Sequence, residues 1–133
     1  MIDLKDLLDA ARLARANAHS PYSRFSVGAA LRTDDGRVFS GANVENASFP
    51  EGICAETAAI AAMVAAGGRH IKEILVIAGG KATCVPCGGC RQRLREFATE
   101  ATPIHLCGTE GLRQTVTLGE LLPMGFGAGH LPS

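Results

Sequence analysis

The chain has 133 residues, 47% of them apolar and 20% charged, which is the composition of a folded domain with a hydrophobic core. Its 13 Lys and Arg residues balance 13 Asp and Glu residues, and this zero net charge argues against nucleic-acid binding through a basic surface. The longest apolar run, residues 58–66, is too short to cross a bilayer, and the first residues lack the apolar run of a signal peptide. We therefore predict one cytoplasmic domain over residues 1–133 that binds neither membranes nor nucleic acid.

The first third of the chain predicts a helix followed by a β-hairpin. Residues 3–16 place leucines and alanines at helical spacing, with charged residues between them, as in an amphipathic helix packed on a sheet. Residues 25–31 and 38–44 are short apolar segments on either side of the turn signal Asp-Asp-Gly at 34–36, and they predict two paired strands.

The rest of the chain predicts alternating helices and strands. Further helices are predicted at residues 54–66, 87–98 and 117–122. Further strands are predicted at residues 71–78, 103–107 and 112–117. In the helix at 87–98, we expect Arg91, Arg93 and Arg95 to point outward. This order predicts an α/β fold, one mixed sheet with helices on both faces, in which functional groups collect where strands end and helices begin.

Two short stretches, Cys-Ala-Glu at 54–56 and Pro-Cys-Gly-Gly-Cys at 86–90, have the composition of a metal site. Cys87 and Cys90 are three residues apart at the start of a predicted helix, so they lie on one face. Three thiolates with a fourth position left for water form the ligand set of a catalytic zinc site. We therefore predict that Cys54, Cys87 and Cys90 bind Zn²⁺.

Glu56 is the candidate catalytic group. A ligand-x-Glu followed by Pro-Cys-x-x-Cys is the signature of zinc deaminases, in which the Glu moves protons and does not bind the metal. Three thiolates leave a zinc site with a formal charge of about −1, which acidifies water less than neutral His ligands do, so a general base is needed. Helical spacing alone does not place Glu56 beside the metal, because residues two apart on a helix point roughly 200° apart.

Other interpretations of the cysteines remain open at this point. Cys84 forms its own Cys-x-x-Cys with Cys87, and as a fourth ligand it would close the site into a structural zinc knot. A redox-active pair is a second alternative, but it leaves Cys54 and Glu56 unexplained. Cys107 lies in an apolar strand and is predicted to be a buried hydrophobic residue.

Asn43 and Glu45 lie at the end of a predicted strand, where residues two apart share one face. An amide beside a carboxylate can bind neighbouring hydroxyl groups, because together they offer donors and acceptors. The pair is equally typical of a solvated loop, and the two residues alone do not decide between these interpretations.

Longer blocks of sequence resemble the small homotetrameric cytidine deaminases. The matching blocks are residues 21–31, 43–50, 54–56, 86–92 and 120–127, in family order and spacing. The resemblance implies a three-layer α/β/α sandwich with a mixed five-stranded sheet. It also implies a cytoplasmic homotetramer with one Zn²⁺ per subunit and shared active sites. The implied activity is hydrolytic deamination of cytidine and 2′-deoxycytidine to uridine and 2′-deoxyuridine, with ammonia release, in pyrimidine salvage.

The resemblance assigns the metal and proton-transfer roles to particular residues. Cys54, Cys87 and Cys90 match the zinc ligands, and Glu56 matches the proton shuttle. One position departs from the pattern, because many members have Arg after this Glu and the chain has Thr57. A Thr donates one hydrogen bond to the thiolates but brings no positive charge.

The resemblance also assigns the substrate contacts. Phe25 matches an aromatic residue that lines the nucleoside pocket, and Asn43 and Glu45 match the pair that binds the ribose 3′-hydroxyl. The backbone of Ala55 matches a contact to the base. Phe126 matches an aromatic residue that reaches into the active site of a neighbouring subunit and stacks on the base.

Three other functions compete with nucleoside deamination. A zinc deaminase of another small cytosine-bearing substrate is one, although the ribose-binding pair argues against it. A nucleic-acid editing enzyme would require basic surfaces that a zero net charge does not supply. A non-catalytic module stabilised by zinc is the third.

Overall fold

The structure, a computed structural model, describes residues 3–132. The helices are α1 (Lys5–Ala16), α2 (Ala55–Ala65), α3 (Gly88–Phe97) and α4 (Leu118–Leu121). The strands are β1 (Val27–Thr33), β2 (Val38–Ala42), β3 (Ile71–Ala78), β4 (Pro103–Gly108) and β5 (Gly111–Thr117). Short 3-10 turns occur at Phe49–Glu51 and Ala128–His130.

The strands form one mixed sheet in the order β2-β1-β3-β4-β5. β1 pairs antiparallel with both β2 and β3, and β5 pairs antiparallel with β4. The pair β3 and β4 is parallel, and the connection between them contains α3. The carboxyl end of β3 therefore leads directly to the Cys-x-x-Cys stretch at the start of α3.

Hydrophobic side chains pack on both faces of the sheet. On one face, Leu7 and Ala11 of α1 pack against Ala30, Leu75 and Ile77. Because neighbouring residues of a strand point to opposite faces, the alternate residues of the same strands form the second cluster.

The second cluster packs the remaining helices against the opposite face. Met63 of α2 and Leu94 of α3 are fully buried there against Leu31, Ile74 and Leu106. The predicted three-layer α/β/α sandwich with a mixed five-stranded sheet is thereby confirmed. Within residues 3–132, none of the helices is long and apolar enough to cross a membrane.

The hairpin is shorter on its active-site side than the sequence predicts. β1 begins at Val27 rather than at residue 25, and β2 ends at Ala42 rather than at residue 44. The amide side chain of Asn43 explains the difference: its Oδ1 accepts from the Val27 N–H (2.9 Å), and its Nδ2 donates to the Phe25 carbonyl (2.8 Å). These side-chain bonds replace the strand ladder, so Asn43 and Glu45 lie beyond the strand.

Helix α2 approaches the edge of the sheet closely at Gly41. A Cβ at this position would lie 2.5 Å from the Ala59 nitrogen and 2.8 Å from the Ala55 carbonyl oxygen. Only glycine allows this approach without moving the backbone. Gly41 therefore fixes the distance between the hairpin and the first turn of α2, which begins next to Cys54.

Candidate active site and metal centre

Two of the predicted ligands directly precede helices. Cys54 is the N-cap of α2 and Cys87 is the N-cap of α3, and both have an extended backbone. A helix N-terminus presents unpaired N–H groups and the positive end of the helix dipole. Such a position stabilises a thiolate relative to a thiol.

The three predicted ligands come together in one cluster. The Sγ atoms of Cys54, Cys87 and Cys90 all lie within 4.8 Å of one another, and the Cys54–Cys87 distance is 3.8 Å. Two sulfur ligands about 2.3 Å from a tetrahedral zinc are about 3.8 Å apart. The cluster therefore has the dimensions of a zinc site, and the predicted Zn²⁺ cofactor is confirmed by this geometry and by the zinc-binding family described below.

Cys84 does not join the cluster. Among residues 3–132, the one group of three or more metal-ligating side chains within 4.8 Å of one another consists of the other three cysteines. The Cys84 thiol instead lies 3.9 Å from the Val85 carbonyl oxygen. The protein therefore supplies three sulfur ligands, as in an open catalytic site, rather than the four of a closed zinc knot.

The local environment affects the three thiols differently. Burial raises the pKa of Cys54 and of Cys90, whereas the backbone N–H of Cys90 lowers the pKa of Cys87. Zinc binds thiolates, so metal binding must displace the remaining protons. Zinc affinity is therefore expected to fall at acidic pH.

Thr57, the residue after Glu56, lies beside the sulfur cluster. Its Oγ1 is 3.7 Å from the Cys90 Sγ. A hydroxyl at this distance can donate a weak hydrogen bond to the thiolate, although it adds no charge. The positive ends of α2 and α3 are the remaining source of positive potential at the sulfur atoms.

Glu56 lies in the first turn of α2 and is only 4% exposed. Burial raises the pKa of its carboxyl group. Glu56 nevertheless lines the same cavity as Cys54 and Cys87. The roughly 200° separation expected within a helix does not apply, because Cys54 is an N-cap with extended backbone rather than a helical residue.

A cavity of about 380 Å³ opens beside the sulfur cluster. Seven of the nine predicted site residues line it: Phe25, Asn43, Glu45, Cys54, Ala55, Glu56 and Cys87. Cys90 is fully buried within the sulfur cluster. Phe126 does not line this cavity. Ser23 and Phe49 also line it, although neither was predicted to be a site residue, and so does Cys84, the alternative fourth zinc ligand.

Asn43 and Glu45 are held by the segment that precedes β1. Glu45 Oε1 accepts from the N–H groups of Tyr22 (3.0 Å) and Ser23 (3.1 Å), and Oε2 accepts from the Ser23 hydroxyl. The Ser23 hydroxyl and N–H, together with the Tyr22 N–H, lower the pKa of Glu45, so this carboxylate stays ionised.

The hydrogen-bonding capacity left on this pair is small. Asn43 uses one N–H and one lone pair, which leaves one of each. Glu45 uses three of its roughly four acceptor positions, which leaves one on Oε2. The free N–H of Asn43 and the free acceptor position of Glu45 together suit a hydroxyl group, which both accepts and donates.

Phe126 lies on the outside of the subunit. Its side chain is 53% exposed, and its ring stacks on His130 with a centroid distance of 5.2 Å. The side chain of Gln92 donates to its backbone carbonyl (2.9 Å). The aromatic ring therefore lies at the surface, outside the cavity of its own chain.

Arg91 was predicted to point outward, and this prediction is wrong. Its guanidinium donates to the carbonyl oxygens of Pro86 (2.7 Å) and Leu121 (2.8 Å). It thereby ties the loop before Cys87 to the end of α4. Periodicity could not reveal this role, because both acceptors are backbone atoms of other segments.

Comparison with known proteins places these features in one family. The family model described as the cytidine and deoxycytidylate deaminase zinc-binding region matches residues 1–106. The cytidine deaminase of Halalkalibacterium halodurans is 42% identical over 127 residues, 96% of this chain and 96% of that protein. That of Mycobacterium tuberculosis is 40% identical over 131 residues, 98% of this chain and 95% of that protein.

Among solved structures, the cytidine deaminase from Burkholderia pseudomallei is similar throughout. It matches with a TM-score of 0.88 and 40% identity, over 94% of this chain and 100% of that chain. The likeness therefore extends beyond the metal-binding stretches to the whole sandwich.

Proposed function

This chain belongs to the cytidine and deoxycytidylate deaminase family, and we propose that it hydrolyses cytidine and 2′-deoxycytidine to uridine and 2′-deoxyuridine with release of ammonia. The observation that supports this most directly is that three clustered cysteine sulfurs and the buried carboxyl of Glu56 meet at one cavity. A zinc module without activity has no use for an ionisable group buried at that point.

Glu56 carries out the proton transfers of the reaction. Its carboxylate accepts a proton from the water that attacks C4 of the cytosine ring and passes it to the ring nitrogen N3. It then takes the second proton of that water and gives it to the amino group, which leaves as ammonia. Because burial raises the pKa of Glu56, its protonated form is accessible closer to neutral pH than for an exposed carboxyl.

The three thiolates of Cys54, Cys87 and Cys90 hold the metal. When bound, zinc supplies the Lewis acidity that activates water as a nucleophile at neutral pH. The helix N-termini at Cys54 and Cys87 favour the thiolate form of these two ligands, against the effect of burial, which raises the pKa of Cys54.

The cavity provides the substrate contacts. Following the family resemblance, we assign the ribose 3′-hydroxyl to the free donor of Asn43 and the free acceptor of Glu45, which together complement one hydroxyl. Phe25 supplies an apolar wall and the backbone of Ala55 a contact to the base.

The charge of the cavity favours a nucleoside over a nucleotide. Among the described residues that line it, none is Arg or Lys, and Glu45 and Glu56 are both carboxylates. A 5′-phosphate would meet negative charge without a cationic partner. Deoxycytidylate is therefore a poorer candidate than deoxycytidine, although the family includes enzymes for both classes.

We further propose that the active protein is a cytoplasmic homotetramer of single-domain subunits, acting in pyrimidine salvage. Large apolar side chains are exposed around the cavity mouth, including Phe49 (73% exposed), Val44 (47%) and Ile53 (43%). Such a surface is typical of an interface. Phe126 of one subunit would then complete the site of a neighbour.

Five free cysteines suit a reducing compartment, which supports the proposed cytoplasmic location.

Ultraviolet monitoring of cytidine, 2′-deoxycytidine, deoxycytidylate and free cytosine, with zinc content measured in parallel, tests this function. We expect turnover of both nucleosides, with ammonia formed in equal amount, and little turnover of the other two. Failure of zinc-loaded protein to convert either nucleoside would contradict the proposal and favour a deaminase of another cytosine-bearing compound.

A further inference from the structure

Ser23 makes two hydrogen bonds that meet at the ribose side of the cavity. Its hydroxyl donates to Oε2 of Glu45 and accepts from the Phe25 N–H (3.0 Å). Ser23 itself lines the cavity. One hydroxyl group therefore connects the carboxylate proposed to bind the sugar with the aromatic residue proposed to face the nucleoside.

The backbone around Ser23 shows how this arrangement is maintained. Arg24 adopts a left-handed conformation (φ 58°), which is uncommon for residues other than glycine. The turn is closed by a bond from the Arg24 N–H to the Ser20 carbonyl (3.0 Å). The surrounding bonds must offset the cost of this conformation, and the two bonds of the Ser23 side chain are among them.

The two oxygens of Glu45 are not equivalent. Oε1 has both lone pairs occupied by backbone N–H groups, which remain whatever side chain stands at position 23. Oε2 has one lone pair occupied by the Ser23 hydroxyl and one free. Without that hydroxyl, Oε2 would have two open positions for water, and only the two bonds to Oε1 would hold the carboxylate.

We infer that Ser23 is a positioning residue that orients Glu45 Oε2 to accept one substrate hydroxyl. This inference rests on the proposed nucleoside deaminase function. Selectivity for the 3′-hydroxyl then depends on the Ser23 side chain, which need not touch the reacting atoms.

Comparison of Ser23→Ala with wild-type protein on cytidine and 3′-deoxycytidine tests the inference. We expect kcat/KM for cytidine to fall about tenfold through KM, with kcat little changed, as for loss of a hydrogen bond to a charged group. The value for 3′-deoxycytidine should change little. The ratio of kcat/KM for cytidine to kcat/KM for 3′-deoxycytidine does not depend on the fraction of folded protein, so partial unfolding cannot imitate this result.

Ser26→Ala is the matched control. The Ser26 hydroxyl lies in the same segment and bonds the Ser20 hydroxyl (2.7 Å) rather than Glu45. We expect this variant to keep the wild-type ratio. Ser23→Cys, which keeps the side-chain size but weakens the donor, should lower the ratio in the same direction and replaces the Ala variant if that fails to fold.

The outcomes separate the inference from the proposed function. Wild-type protein that converts cytidine, combined with equal losses on both substrates in the Ser23 variants, would show that Ser23 has only a structural role. Ser23 variants with unchanged kcat/KM on both substrates would also overturn the inference while leaving the deaminase function intact. Wild-type protein that converts neither nucleoside would overturn the proposed function itself.

Discussion

The Sγ atoms of Cys54 and Cys87 lie 3.8 Å apart, although the two residues are 33 positions apart in the chain. Each is the N-cap of a different helix, so two helix N-termini converge on one point. The separation of the sulfurs is that of two ligands on a tetrahedral zinc. The following predictions test the consequences of this convergence and of the packing that supports it.

Glu56→Gln should abolish turnover while leaving zinc and the fold in place. The amide has nearly the same size but cannot accept and return a proton, so we expect kcat to fall by about 10²–10⁴-fold or more. Steady-state kinetics, zinc content and thermal unfolding check this. Glu96→Gln removes an exposed carboxylate of α3 and should be neutral. Unchanged ammonia release by the Glu56 variant would remove Glu56 from the mechanism.

Cys90→Ala and Cys84→Ala should differ in zinc content. Cys90 belongs to the sulfur cluster, so its loss leaves two protein ligands, and we expect purified protein with far less than one zinc per chain. Cys84 lies outside the cluster, and its variant should retain one zinc. Metal analysis of the two proteins decides the matter, and zinc loss in the Cys84 variant would support a closed four-cysteine site instead.

Thr57→Arg should be tolerated and should leave zinc bound, because the added guanidinium would offset the negative charge of the thiolates. Thr57→Val keeps the shape but removes the hydroxyl that lies 3.7 Å from the Cys90 sulfur. We expect the Val variant to lose zinc faster to a chelator than wild type, and the Arg variant to lose it no faster. Expulsion of zinc or unfolding by Arg would mean that the charge is balanced in another way.

Gly41→Ala should weaken both the fold and the metal site. The new Cβ would lie 2.5 Å from the Ala59 nitrogen and must push α2 away from the hairpin, which displaces the helix that begins after Cys54. We expect a lower Tm and faster zinc release to a chelator. Gly129→Ala is the control, because no atom lies within 4 Å of its Cβ position. A Gly41 variant indistinguishable from wild type would show that α2 adjusts without cost.

The ion pair between Asp6 and Arg32 should stabilise the fold at neutral pH and lose this contribution at acidic pH. The guanidinium donates to both carboxylate oxygens (2.7 and 2.8 Å) and holds the pKa of Asp6 below its ordinary value of 3.8. Because the folded pKa is depressed, this stabilisation is complete above the unfolded pKa and is lost as pH falls through the folded value.

Asp6→Asn should therefore lower the free energy of unfolding by about 0.5–1 kcal/mol at pH 7, and by much less below pH ~3. Denaturant unfolding at both pH values measures the difference. Asp9→Asn breaks a pair with Lys5 that is exposed on both sides and should have a smaller effect. An effect of Asp6→Asn that is equal at both pH values would show that charge is not its cause.

Several features of the site could be predicted from sequence because they depend on local spacing. Cys87 and Cys90 are neighbours on the first turn of any helix that starts there. The motif ligand-x-Glu followed by Pro-Cys-x-x-Cys is the signature of zinc deaminases. Helix and strand positions followed from periodicity and turn signals to within about two residues. The two-residue errors at the start of β1 and the end of β2 arise where side-chain bonds of Asn43 replace the strand ladder.

Other features could not be predicted because they join distant segments of the chain. Arg91 bonds one carbonyl oxygen in the loop before Cys87 and one at the end of α4, and no pattern along the sequence records these contacts. The bond between the side chains of Ser23 and Glu45 joins residues that are 22 positions apart, and no local pattern records it either. The role of Phe126 stays a prediction, because its ring lies outside the cavity of its own chain.

The residues that can bind zinc and transfer protons are evident from the amino-acid sequence, since these properties belong to thiol and carboxyl groups at fixed local spacings. The fold is needed to see that Cys54 lies beside Cys87 and Cys90, that Cys84 lies outside the cluster, and that Glu56 lines the adjoining cavity. These positions follow because α2 and α3 pack on the same face of one sheet, so that their N-termini converge. That packing is set by the whole core, including residues far from the site.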